Sequence, residues 1–223
     1  MSRLRNIATG MLAGILLAAA VPVGASANLI DTAYGAGAGS FELGIHSGAA
    51  FDSLAPGSTT ITGWTVGGPG DGVDWLNEPS FNASDGVHSV DLQTFTASSI
   101  STVISTVIGQ TYQLTFDSAA ILGLQGTGTV SAGTLTGQSF APPTSPPGTF
   151  STQTYSSFAF LFDAVSTSTT LTFSADATCC GGATYGPMID NVSIVETSTE
   201  VAAPGAFAIL GLGLAVLGFV RRR

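Results

Sequence analysis

Basic residues are almost absent from the middle of this 223-residue sequence. Its five Lys and Arg residues are all arginines and lie near the two ends: Arg3, Arg5, Arg221, Arg222 and Arg223. All fourteen acidic residues fall between positions 31 and 200, so that region has fourteen negative charges and no positive one. Because nucleic-acid binding depends on Lys and Arg that neutralise phosphates, this composition excludes a nucleic-acid partner and favours cations as small partners.

The usual pairs of nucleophile and base are also absent. The sequence has two histidines, His46 and His88, and neither a Gly-x-Ser-x-Gly nor a His-Glu-x-x-His motif. His88 has core parity in its predicted strand, which favours a half-buried structural role. We therefore predict that the protein is not an enzyme. The alternative is a secreted, glycoside hydrolase-like enzyme using paired carboxylates from Asp74, Asp85 and Asp91, because spacing in sequence does not reveal spacing in space.

Two cysteines are too few for a disulfide scaffold, and they are adjacent: Cys179 and Cys180. Neighbouring Cα atoms lie about 3.8 Å apart, below the usual disulfide range, so an oxidised pair would form a strained turn. That turn is the first interpretation, and a bond to another chain or two free thiols are the alternatives. A zinc site is not predicted, because no further Cys or His ligands accompany the pair.

The N-terminus has the features of a secretory signal peptide. Arginines precede an apolar run over residues 7–20, and Ala25-Ser26-Ala27 is a small-x-small cleavage motif. We predict that residues 1–27 are removed and that the mature chain starts at Asn28. A retained transmembrane helix is the alternative, which the short apolar run disfavours.

A second apolar segment, residues 206–220, precedes the three terminal arginines. Counted from Val201 it has twenty residues, roughly 30 Å as a helix, which is about the thickness of the hydrocarbon core of a bilayer. We predict a spacer over residues 196–203 and a helical membrane anchor or sorting signal over residues 204–223. The arginines should stay cytoplasmic and the preceding chain should lie outside the cytoplasm. A buried core helix is the alternative.

Residues 28–195 are predicted to form one all-β domain. Gly, Ser and Thr are abundant, and short turn-bounded runs alternate apolar and polar residues, most clearly over residues 88–92 and 111–116. A first strand is predicted at residues 40–43, and a Pro-rich exposed loop at residues 141–148. The pattern predicts a two-sheet antiparallel sandwich of jelly-roll type.

Asp190 is the most informative acidic residue. In a regular strand it shares a face with Val192 and Ile194, which should point into the core. A buried carboxylate must be hydrogen-bonded, paired or metal-bound, and without Lys or Arg in the domain the candidates are backbone N–H groups or a metal. A turn cap after Gly186-Pro187 is the alternative role.

Four aromatic residues offer flat faces on which sugars could stack: Trp64, Trp75, Tyr155 and Tyr185. The Gly-Trp-Thr and Val-Asp-Trp contexts of the two tryptophans favour the core. No sugar platform is therefore predicted from these residues.

Several short segments of the sequence, taken in order, resemble the bacterial choice-of-anchor C family. They are residues 28–29, 40–42, 63–66, 73–75, 85–92, 109–117 and 186–194. The sequence is similar, more remotely, to a domain of unknown function with plant cell-wall members, within a group that looks like the galactose-binding jelly rolls that include many carbohydrate-binding modules. That resemblance implies the same fold, and it implies a structural calcium shared by Glu42 and Asp190.

The tail resembles the PEP-CTERM class of bacterial sorting signals, which exosortase-type membrane enzymes process. The Gly- and Leu-rich segment 208–214 and the cluster Arg221 to Arg223 match the class, whereas Ala203-Pro204-Gly205 stands where Pro-Glu-Pro is usual. The combined expectation is a non-catalytic protein of the cell surface or extracellular matrix, held in the inner membrane at least before processing. Its predicted partner is a polysaccharide or another envelope component.

Overall fold

The computed structural model describes residues 26–121, 126–144, 150–176 and 185–197. Within these ranges the chain forms one short helix and eleven strands. Their bounds are α1 Leu29–Tyr34, β1 Phe51–Leu54, β2 Thr65–Gly67, β3 Val73–Asn77, β4 His88–Asp91, β5 Ser99–Ser105, β6 Thr111–Ala119, β7 Gly128–Ala132, β8 Leu135–Phe140, β9 Ser156–Asp163, β10 Ser168–Ala175 and β11 Met188–Glu196.

The strands form two sheets. One sheet has six strands in the order β1-β3-β4-β11-β6-β9, and the other has five in the order β2-β5-β10-β7-β8. The pairings between neighbouring strands are antiparallel. The predicted two-sheet antiparallel sandwich is confirmed.

The core lies between the sheets and follows the alternation of the strands. In β6, Tyr112, Leu114 and Phe116 are buried, and the residues between them are half-buried on the outer face. The predicted core positions Trp64 and Trp75 are confirmed, at 2% and 0% exposed. Their indole N–H groups donate to backbone carbonyls 2.8 and 3.1 Å away, so neither buried donor lacks a partner.

Residues 40–43 do not form the predicted first strand. The segment begins in a turn, and Phe41 has a φ of 60°, in the left-handed region rather than the extended one. The short helix α1, which precedes this turn, was not predicted. Asn28 caps the helix, because its side-chain oxygen accepts a hydrogen bond from Ile30 N at 3.1 Å.

Strand β11 contains a β-bulge that decides which of its side chains face the core. The register with β6 shifts after Asp190, and Asn191 has a φ of 50°. Ile189 faces the core before the bulge, and Val192 and Ile194 face it afterwards. Asp190 therefore lies on the outer face of the six-stranded sheet. Its predicted burial is confirmed, at 0% exposed, but the predicted face is wrong because the extra residue resets the alternation.

The predictions for the two ends and for the cysteine pair fall outside the described residues. The positions concerned are Ala25, Cys179, Cys180, Pro204, Gly205, Arg221, Arg222 and Arg223. Ala27 is described and is exposed directly ahead of the cap residue Asn28. Among the described residues, no helix is both long and apolar enough to cross a bilayer. Export, anchoring and the state of the cysteines stay predictions.

Candidate ligand-binding cleft

A cleft of about 490 Å³ opens on the outer face of the six-stranded sheet. Strands β1, β3 and β4 form its floor, and loops that follow or precede the strands form its walls. The polar lining residues are Ser53, Asp74, Ser80, Asp91 and Thr94, and the apolar ones are Ala50, Phe51, Leu76, Phe81, Phe95, Phe150 and Tyr185. The lining thus combines aromatic rings with two carboxylates.

The two carboxylates belong to residues that lie directly opposite each other. Asp74 in β3 and Asp91 in β4 are register partners, and Cβ atoms of such partners lie roughly 4.5–5.5 Å apart. Both side chains point outward, because Val73, Trp75 and Val90 beside them belong to the core. The cleft therefore holds a like-charged pair, with no Lys or Arg between residues 28 and 200 to neutralise it.

Burial raises the pKa of both carboxyl groups. For Asp74, a hydrogen bond from Ser53 Oγ at 2.6 Å opposes the rise. Asp91 is 1% exposed, and its pKa lies well above the usual range because burial, together with the neighbouring charge of Asp74, outweighs its hydrogen bonds. Two adjacent acids with raised pKa values favour sharing a proton, so the pair can offer a ligand both a donor and an acceptor.

The backbone at position 186 passes so close to Asp91 and Gln93 that a glycine is needed there. Its N–H donates to Asp91 Oδ1 at 2.9 Å, and a Cβ added at Gly186 would lie only 3.0 Å from that oxygen. Gln93 N donates to the same oxygen at 3.0 Å. Asp190 does not cap a turn after Gly186-Pro187, because strand β11 begins at Met188 and the amide of Gly186 donates to Asp91 instead.

A row of aromatic rings forms one side of the cleft. Ring centroids lie 6.3 Å apart for Phe51 and Phe81, 5.0 Å for Phe81 and Phe150, and 5.7 Å for Phe150 and Tyr185. Phe95 stands separately at 71% exposed, so most of its ring contacts solvent. This apolar surface is available to a ligand without rearrangement of the core.

Thr94 adds a polar group that its surroundings leave unused. The residue is 6% exposed, and its Oγ1 has no hydrogen-bond partner among the described residues. A buried hydroxyl without a partner is costly, so a ligand hydroxyl or a water at this position would satisfy it.

Asp190 holds the loop between β3 and β4, whose Ser80 and Phe81 line the cleft. Its Oδ2 accepts hydrogen bonds from Ser84 N (2.6 Å), Ser84 Oγ (3.1 Å) and Asp85 N (2.9 Å), and its Oδ1 accepts one from Asn191 N (2.6 Å). Burial raises the pKa of Asp190 to about 7 although these bonds oppose the rise. Backbone N–H groups, one of the two predicted kinds of partner, thus contact this carboxylate.

Glu42 holds the far end of the same loop. Its Oε1 accepts hydrogen bonds from Val87 N at 2.9 Å and His88 N at 2.8 Å. Gly86, immediately before Val87, has a φ of 74°, and a Cβ there would clash with that carboxylate oxygen. Glu42 and Asp190 thus hold two adjacent stretches of one loop, residues 87–88 and 84–85.

These contacts leave few free lone pairs for a calcium ion shared by the two carboxylates. Calcium needs six to eight oxygen ligands, whereas N–H and O–H donors occupy Glu42 Oε1 and both oxygens of Asp190. The described residues contain no group of three or more His, Cys, Asp or Glu side chains that could hold a metal. Calcium binding by the chain stays a prediction. A lower melting midpoint in chelator would support it, and an unchanged midpoint would leave the loop amides as the partners.

The remaining candidates from the sequence are dispersed. Asp85 does not join Asp74 and Asp91, because its carboxylate accepts a hydrogen bond from Ser40 Oγ at 2.5 Å. His88 is half-buried as predicted, with its ring stacked on His46 at a centroid distance of 4.9 Å.

The two tyrosines take different places. Tyr155 donates from its hydroxyl to Asn82 O at 2.9 Å, and Tyr185 lines the cleft. Sequence reasoning missed Phe51, Phe81, Phe95, Phe150 and Thr94. The sequence alone does not distinguish a phenylalanine that packs in the core from one that lines a cleft.

Capsid, lectin and cupin domains all use jelly-roll sandwiches, so the fold defines an architecture and the cleft a candidate ligand site. The chain belongs to the DUF642 family, a protein family of unknown function whose model matches residues 37–195. This match supports the resemblance to a domain of unknown function, whereas choice-of-anchor C and PEP-CTERM membership stay predictions. No curated protein matches the chain.

Solved structures similar to this chain include two carbohydrate-binding modules and a domain of a phage tailspike protein. The carbohydrate-binding module TmCBM61, solved with β-1,4-galactotriose, has 18% identity and a TM-score of 0.39, over 60% of this chain and 88% of that one. The CBM35 module of Paenibacillus barcinonensis has 18% identity and a TM-score of 0.38, over 60% and 94%. The enzymatically active domain of tailspike protein 4 of bacteriophage CBA120 has 17% identity and a TM-score of 0.40, over 66% of this chain. The match spans only 21% of the tailspike chain.

Proposed function

We propose that this protein is a non-catalytic polysaccharide-binding protein, exported and held at the cell surface or in the extracellular matrix. The observation that carries the proposal is the cleft, in which exposed aromatic rings and paired carboxylates line one open groove. The other face of the same sheet packs into the core, so the groove has a rigid floor.

The lining suits the two kinds of surface that a sugar presents. A pyranose ring has C–H faces that pack on aromatic rings, and hydroxyls that need donors and acceptors. Phe95 and the row from Phe51 to Tyr185 provide the rings. Asp74 and Asp91 provide acceptors and, when they share a proton, one donor.

The charge of the cleft favours neutral polysaccharides. Cationic side chains favour uronic acids and sulfated sugars, and every Lys and Arg of the chain lies outside residues 28–200. Asp74 and Asp91 would also repel a polyanion at close range. Hexose or pentose polymers without charged groups are therefore the proposed ligands.

Replacing Phe95 with alanine should weaken binding to a neutral polysaccharide about tenfold or more, because the ring would lose most of its ligand contact. Affinity electrophoresis in gels containing xylan, galactan or mixed-linkage glucan measures the dissociation constant, with polygalacturonate as the anionic comparison. Leu161→Ala is the matched control, since Leu161 is 59% exposed but lies on β9, at the opposite edge of the sheet from β1. Retardation by polygalacturonate alone, by no polymer at all, or equally for F95A and the unmodified chain would refute the proposal.

A second candidate function, glycoside hydrolysis, is favoured by one observation, the pairing of Asp74 with Asp91. Two neighbouring carboxyl groups with raised pKa values are an arrangement that hydrolases use. Release of reducing ends from the retained polysaccharide, abolished in Asp74→Asn, would establish this activity. We expect retention without product.

Export and anchoring complete the proposal. They are supported by the signal-like segment 1–27 and by the apolar segment followed by Arg221, Arg222 and Arg223. Mass spectrometry of the mature chain should find Asn28 at the N-terminus, and the C-terminal mass should show whether an exosortase-type enzyme has removed the segment after Pro204-Gly205. An N-terminus at Met1 would refute export by this signal.

A further inference from the structure

Two neighbouring loops expose a patch of large apolar side chains at one end of the sandwich. Val107 and Ile108, in the loop between β5 and β6, are 61% and 63% exposed, and Val165, in the loop between β9 and β10, is 65% exposed. We call these three residues the apolar tip. Apolar side chains of this size that cluster on a protein surface commonly mark a site of contact with another molecule or a membrane.

Backbone hydrogen bonds tie the two loops of the tip together. Gly109 N donates to Ala164 O at 2.8 Å, Ala164 N donates to Gln110 O at 3.0 Å, and Thr106 N donates to Thr167 O at 3.0 Å. These hydrogen bonds hold the two loops together, so the three apolar side chains form one surface.

The described chain leaves the sandwich beside this tip. Thr197 follows β11, and its N–H donates to Thr111 O at 3.0 Å, immediately after the loop that contains Val107 and Ile108. The apolar segment 206–220 begins nine residues later in the sequence. Nine residues span at most about 30 Å when fully extended, so the predicted membrane entry point is within reach of the tip.

We propose that the apolar tip rests on the surface of the bilayer that residues 204–223 are predicted to enter. This inference rests on the proposed anchoring and is independent of polysaccharide binding. The acidic side chains of Asp163 and Glu196 lie on strand ends next to the tip, and no Lys or Arg lies between residues 28 and 200. A bilayer rich in zwitterionic headgroups therefore fits better than an anionic one.

This contact would direct the cleft away from the membrane. Strand β6 runs from Thr111 beside the tip to Ala119, which pairs with Met188 next to Asp91. Eight residue steps along a strand cover about 26 Å. The acid pair thus lies near the opposite end of the sheet, where it can meet a polymer away from the membrane surface.

Fluorescence of single tryptophan substitutions in the full chain tests the contact. Ile108→Trp places a reporter in the tip, and Phe95→Trp places one at the other end of the molecule, while the buried Trp64 and Trp75 give a constant background. The chain is reconstituted into phosphatidylcholine vesicles with or without brominated acyl chains. We expect I108W to shift to shorter wavelength and to lose most of its added emission in brominated vesicles, and F95W to do neither.

Each other outcome identifies what failed. If the chain does not float with the vesicles, the anchor and with it the membrane contact are refuted. If it floats but I108W is quenched no more than F95W, the tip contact is refuted and the anchor stands. A blue shift of I108W that depends on protein concentration without vesicles assigns the tip to a second copy of the chain. Val165→Trp repeats the measurement should I108W have a lowered melting midpoint.

Discussion

Replacing Asp190 with alanine should lower the free energy of unfolding at pH 6 by about 3–5 kcal/mol. The substitution removes the buried carboxylate that accepts hydrogen bonds from the N–H groups of Ser84, Asp85 and Asn191 and from Ser84 Oγ, and each such bond contributes about 0.5–1.5 kcal/mol net. The loop that carries the cleft residues Ser80 and Phe81 would also lose its attachment to β11. Urea unfolding followed by tryptophan fluorescence measures the change.

Asp163→Ala provides the matched comparison. Asp163 is exposed, and its carboxylate accepts a hydrogen bond from Thr111 Oγ1 at 2.6 Å, so its loss should cost less than about 1 kcal/mol. Asp190→Asn, which keeps one acceptor oxygen, should fall between the two. Equal, small effects of D190A and D163A would contradict the role assigned to Asp190.

Lowering the pH from 8 to 5 should stabilise the domain, which is the reverse of ordinary acid denaturation. Burial raises the pKa of Asp190 from 3.8 to about 7, and it raises those of Asp74 and Asp91 as well. A carboxyl group that binds its proton more tightly in the folded state contributes stability that is complete below its unfolded pKa. That stability is lost as the pH rises through the folded value. For Asp190 the window runs from about 4 to about 7 and corresponds to roughly 4 kcal/mol.

Melting midpoints measured between pH 5 and pH 8 check this dependence. Repulsion among the fourteen acidic side chains acts in the same direction, because no Lys or Arg between residues 28 and 200 offsets them. Asp190→Asn should flatten the curve, since its amide does not titrate in this range. A midpoint that rises steadily from pH 5 to pH 8 would contradict the assignment.

The sandwich could be predicted because a strand with one buried face leaves a period of two in the sequence. Residues 111–116 show this clearly, and Tyr112, Leu114 and Phe116 are indeed buried. The same rule failed at Asp190, since a bulge adds a residue without any change in local composition. It failed at residues 40–43 too, where Phe41 adopts a positive φ that a phenylalanine seldom takes.

The cleft could be predicted only in part. The sequence indicates Asp74, Asp85 and Asp91 as candidate acids, and only the register of β3 against β4 separates the pair Asp74 and Asp91 from Asp85. The aromatic row joins β1 to three loops that are far apart in sequence, from Phe51 to Tyr185. Side chains assembled from such distant segments leave no shared pattern to read.

The bulge in β11 also determines which changes of chain length the domain can absorb. Asn191 and Val192 together oppose Phe116 of β6, so Asn191 is the supernumerary residue of the strand. Deleting it would leave Ile189, Val192 and Ile194 facing inward and Asp190 facing outward. Deleting Ser193 would instead turn Ile194 toward solvent. Length differences between homologous chains in this strand should therefore concentrate at position 191.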